Sequence, residues 1–261
     1  MIRGHAGEPA YVVVLKTLGA PVRRRSLRRR PSDSRVAPQP APTPVTTARA
    51  TVVGAVPLTS PGDAWLLGAD LEYEAQSAIA VLDSVVHLHR SAAADARVPV
   101  VSRERALVVR IGYGAGEEVA DGRWSEAVEV PPPSPGRRER SGVLRPQERL
   151  AAILGGRDVT LACEELTLRA RLDADAARWR EAAFQLRVAL EAAIAELGPW
   201  AGQTDVAARI DELRDQRGAV GDAANAALEG GLDDARIAAV EHALDRVEAA
   251  LRARTQAELG G

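Results

Sequence analysis

Apolar residues fall at Leu172, Ala176, Trp179, Ala183, Leu186, Leu190, Ala193 and Leu197, in steps that alternate between four and three. That is the spacing of a helix packed lengthwise on another helix. The pattern returns at Val206, Ile210, Leu213 and Val220, and again at Ile237, Val240, Leu244, Val247 and Leu251. Such seams predict an elongated, antiparallel, coiled-coil-like bundle over residues 146–261. A seam holds helices together without implying a reaction. Trp179 and Leu186 are its strongest candidates for contact with another helix, in the same chain or a second one.

The bundle is built from small residues. Aromatics make up 3% of the chain, so Ala, Leu and Val supply the packing. Lys16 is the only lysine among 34 basic residues, and Asn225 is the only asparagine. This is the bias of a GC-rich bacterial genome, and it makes arginine clusters and alanine runs partly mutational. Cys163 is the only cysteine, which excludes an intramolecular disulfide and a cysteine zinc cluster. A reducing cytoplasm fits that usage. No apolar stretch approaches the roughly 18 residues of a membrane span.

Charge is divided unevenly. Residues 1–50 hold ten basic and two acidic side chains, while the rest holds 24 basic and 34 acidic. The tail carries Arg23, Arg24, Arg25, Arg28, Arg29 and Arg30, then alternating prolines from Pro38 to Pro44. Such a segment cannot build a core, so residues 1–49 are expected to be disordered. A basic tail on an acidic body is a candidate for binding nucleic acid, an anionic membrane surface or the body itself.

Residues 50–130 read as a small α+β domain. Thr51 to Val56 is rich in β-branched residues and predicts a strand. The Ser60-Pro61-Gly62-Asp63 turn starts a helix expected to reach Ala94, with a stripe of Leu67, Leu71, Ala78, Leu82, Val85 and His89. Leu107, Val109, Ile111 and Tyr113 alternate along one strand face. Asp121-Gly122 predicts a hairpin turn pairing Glu118–Ala120 with Arg123–Val130. The order is strand, helix, strand, strand, strand. The fold class is therefore α+β, mainly α.

A Pro/Arg-rich linker spans 131–145, and its Pro132 to Arg137 stretch has the P-x-x-P-x-Arg form of a groove ligand, although a plain spacer accounts for it. Pro146 opens a short helix, and Gly155-Gly156 ends it. Asp158 or Thr160 is expected to cap a long helix to Leu197. Gly198-Pro199 ends that helix, and Thr204 caps the next, which runs to Glu229. Gly230-Gly231 breaks the chain before a last helix from Asp233 to Leu259.

Residues 178–190 resemble the second helix of a tetratricopeptide repeat, with Trp179 at the aromatic turn position and Ala182, Leu186 and Ala189 at packing positions. Asp173 stands where the repeat has an aromatic, Ile194 where it has its closing proline, and no copy follows at a 34-residue offset. A helical hairpin or an unbroken helix is the reading adopted.

Chemistry-bearing candidates are sparse. Gly112-Tyr113-Gly114-Ala115-Gly116 follows a strand, but a phosphate loop needs a helix next, and Glu117-Glu118 follows instead. His87 and His89, two apart, point to different faces. His89 is expected to pack in the helix stripe, and His87 with Asp83 supplies at most two metal ligands. Glu72, Glu74, Glu117, Glu118 and Asp121 become acid–base pairs only if burial or like charge shifts them. No cofactor is expected. The expected function is a non-enzymatic, cytoplasmic interaction or scaffold protein, whose partner is another protein or a second copy. The alternatives are a ligand-binding or enzymatic α+β domain with a helical oligomerisation arm, and a nucleic-acid-associated protein acting through the arginine tail.

Overall fold

The computed structural model describes residues 2–3, 8–19, 47–132 and 146–260. The fold is mostly helical, as the seams predict, and carries two small antiparallel sheets. It divides into two compact units, Met1–Pro133 and Ser134–Gly261.

The first unit begins with a three-stranded sheet of β1 (Ile2–Arg3), β2 (Pro9–Leu18) and β3 (Thr47–Gly54), in that order. β2 and β3 pair from Tyr11 with Gly54 to Leu18 with Thr47. The expected disorder of residues 1–49 is therefore corrected at both ends. Residues 20–46, with Arg23 to Arg30, lie outside the described residues. Val12 to Leu15 is a short apolar run without alternation, and its hydrogen-bonding partner is distant in sequence. Pairing, not local pattern, makes it a strand.

One sheet face carries Val12, Val14, Thr51 and Val53. On that side Thr51 is buried, Lys16 pairs with Asp121, and Arg49 lies against Gly122. The other face carries Tyr11, Val13, Leu15 and Val52.

The expected 60–94 helix is two helices, α1 (Gly62–Gly68) and α2 (Leu71–Ala92). Asp70 interrupts them by accepting the Tyr73 N–H at 3.1 Å, which caps α2 and resets its phase. Leu67 consequently points outward at 90% exposure, and Ala75 and Asp83 are the buried α2 positions. Asp83 accepts the Val101 N–H at 3.0 Å, fixing the chain that returns from the helix.

β4 (Val109–Tyr113) pairs with β5 (Glu126–Val130) as a separate hairpin. The Asp121-Gly122 hairpin is thus replaced. Residues 117–121 form a 3₁₀ turn, and Gly122 ends it at φ 69°. A dipeptide suited to positive φ serves a helix end as readily as a tight strand turn. Buried Arg103 anchors the end of β5 by donating to the carbonyls of Val130 and Pro131 at 3.1 and 2.6 Å.

The second unit contains α3 (Pro146–Leu154), α4 (Ala162–Asp175), α5 (Trp179–Glu196), α6 (Thr204–Asp215), α7 (Arg217–Glu229) and α8 (Asp234–Gly260). The helix expected from Asp158 to Leu197 is the α4–α5 hairpin. Ala177 turns at φ 55°, and Asp173 holds the corner by accepting from Arg178 Nε and Gln185 Nε2, each at 2.8 Å. Asp173 thus has a structural use at the position where a tetratricopeptide repeat has an aromatic. Leu172 and Ala176 fall at this corner, so Leu172 is exposed and the seam begins effectively at Trp179.

Neither Asp158 nor Thr160 caps α4. Leu161 occupies the cap position, and Glu164 Oε2 accepts its N–H at 3.1 Å. Gln203, not Thr204, precedes α6. The 204–229 helix is interrupted at Gln216, whose N–H bonds Leu213 O in place of the residue four back. α8 starts as expected, with Asp233 Oδ1 accepting the Arg236 N–H at 2.9 Å.

Polar contacts fix antiparallel directions. Cys163 at the start of α4 meets Glu196 at the end of α5. Arg180 reaches Ala227 O, and Arg217 pairs with Glu191, so α5 opposes α7. Trp200 meets Glu258 while Glu212 meets Arg246, so α6 opposes α8. Inside lie Leu186, Leu190, Leu197, Val206, Leu213, Val220, Val240, Leu244 and Val247, almost entirely excluded from solvent. Ala182, Ala183, Ala189, Ala193, Ala223, Ala227, Ala243 and Ala250 are fully buried among them. Helix separation depends on side-chain size at the contact, so these alanines let the helices approach closely, and Trp179, Phe184 and Trp200 pack half-buried against the rim of the core.

Candidate functional site

The most unusual chemistry lies where α8 meets the start of α4. Arg254 on α8 is 1% exposed, which a charged side chain tolerates only when paired. Its Nη2 donates to Asp158 Oδ1 in the α3–α4 connection, and its Nη1 lies 3.9 Å from Glu164 Oε1. Arg149 on α3 approaches the same carboxylates, its Nε 3.1 Å from Asp158 Oδ2 and its Nη2 2.5 Å from Glu164 Oε1. Trp200 stacks on the Arg254 guanidinium, 4.7 Å from ring centroid to Cζ, and its Nε1–H donates to Glu258 Oε1 at 2.5 Å.

Two guanidiniums therefore meet two carboxylates beneath an aromatic cover. Burial alone would raise the Asp158 carboxyl. Hydrogen bonds from Arg254, the Val159 N–H and Arg149 together outweigh it and hold the group below its ordinary value. For Arg149, burial opposes the charge, and Glu164 and Asp158 prevail to raise its affinity for the proton. Arg254 Nε has no acceptor among the described residues. The charges are spent on one another, so the cluster acts as a clasp joining α3, α4 and α8. Sequence reasoning considered Asp158 only as a cap and missed the cluster. Arg254 follows Leu251 on the inward side of α8, the only available signal.

The remaining candidates are scattered. Cys163 is buried, and burial first, then the hydrogen bond and charge of Glu196, push its thiol up to about 12. A reactive thiolate needs the opposite environment. Glu72 accepts from Gln76 Nε2 at 3.1 Å. Glu117, Glu118 and Asp121 are exposed on the 3₁₀ turn, with Glu118 3.7 Å from Arg123. The hydrogen bond and charge of Lys16 lower Asp121. His89, expected in the helix stripe, is exposed in the last turn of α2, while Leu82 and Val85 of the same stripe are half-buried. Among the described residues no group of three or more His, Cys, Asp or Glu is placed to hold a metal.

The glycine loop lies in the β4–β5 hairpin. A Cβ on Gly112 would come 2.3 Å from Glu126 O, so this glycine serves close strand approach. Leu186 is fully buried, and Trp179 is half-buried against the same core. A shallow open cleft of about 360 Å³ lies between the start of α6 and the end of α8, lined by Gln203, Asp205, Gln256 and Ala257 among others. No described helix is long and apolar enough to cross a membrane.

Exposed apolar side chains form the remaining candidate surface. Leu168 and Leu172 on α4 are 67% and 42% exposed. They lie on the side of α4 opposite its buried positions Cys163, Thr167, Ala170 and Ala174, by the 100° turn per residue. α3 also exposes Leu150 and Leu154, four residues apart. Comparison with known proteins finds no matching family model, no matching curated protein and no matching solved structure.

Proposed function

We propose that this chain is a non-enzymatic interaction or scaffold protein that engages an apolar helix of a partner, or of a second copy, through the outer face of α4. The observation that carries the reading is that α4 exposes two leucines on its outer side, beside the Glu165–Arg169 ion pair. Its inner side completes the bundle core, while Leu168 and Leu172 stand exposed on the other. Residues four apart on a helix make one contact surface, and contiguous apolar exposure marks interaction sites. The pairing of the buried charges with one another supports a non-enzymatic reading. A cytoplasmic setting belongs to the proposal and suits the single buried thiol.

The test compares the full chain with its Leu168→Glu/Leu172→Glu variant, by sedimentation and as immobilised bait. The variant should keep its helical signal and lose self-association or the captured partner. Identical assembly by both proteins, with folding intact, would remove this face from the account.

A further inference from the structure

We draw no further inference here: the strongest candidate, the apolar sheet face of Tyr11, Val13, Leu15 and Val52 beside the outer edge of β3, is a surface for which nothing in the structure shows what covers it.

Discussion

Replacing Arg254 by methionine keeps most of the aliphatic volume and removes the charge at the centre of the clasp. Asp158, with its side chain 6% exposed, then loses its most buried partner. Breaking a buried pair costs about 3–5 kcal/mol, because the remaining charge stays buried without compensation. Arg149 remains 3.1 Å from Asp158, so the low end applies, about 3 kcal/mol. With a urea slope of about 2 kcal/mol per molar, the unfolding midpoint of the bundle should fall by about 1.5 M.

The assay is urea unfolding of the full chain, followed by far-ultraviolet circular dichroism. Asp158→Asn and the double variant complete a cycle. Coupled groups deviate from additivity, so the double variant should cost at least about 1 kcal/mol less than the summed singles. Additivity within about 0.5 kcal/mol would refute the clasp. Acid supplies a second arm. The folded Asp158 carboxyl is held below its unfolded value, so its contribution is present above about pH 4 and lost as pH falls through the folded value. Arg254→Met should shrink that acid-side loss.

Leu186 is fully buried in the seam, and Leu186→Ala should destabilise the bundle by about 2–5 kcal/mol in the same urea assay. Ala177→Gly relieves a positive-φ alanine at the α4–α5 corner and should stabilise by up to about 1 kcal/mol, read as a rise of a few degrees in Tm. The Arg23 to Arg30 run should bind polyanions without sequence preference and weaken steeply with salt. Filter binding with the full chain and a variant carrying glutamine at Arg23, Arg24, Arg25, Arg28, Arg29 and Arg30 checks this without removing β2, and equal binding by both would exclude the run.

Helix existence was legible in the sequence because burial on a long helix imposes a period that composition bias cannot hide. The α5 and α8 seams appear where the three-four spacing places them, with Leu186, Leu190, Leu244 and Val247 inside. Pro146, the paired glycines and Asp233 likewise act through their own backbone geometry, so their positions were readable locally. The interruptions at Asp70, Ala177 and Gln216 were not. Each depends on a small difference between continuing a helix and turning, decided by partners such as Tyr73 N–H for Asp70 and Gln185 for Asp173.

β2 was hidden for a related reason. A strand draws its backbone hydrogen bonds from neighbouring strands, and the neighbour of Val12 to Leu15 is β3, beyond the proline-rich segment. The clasp shows the same limit more sharply. Asp158 and Arg254 are ordinary charges 96 positions apart, and only the folding of α8 along α4 puts them in contact. The sequence by itself determined which segments are helical and which helix faces are apolar. Tertiary structure decided which strands pair and which charges are buried, because those outcomes are set by partners distant along the chain, while the breaks at Asp70, Ala177 and Gln216 rest on local caps and turns that an apolar period does not report.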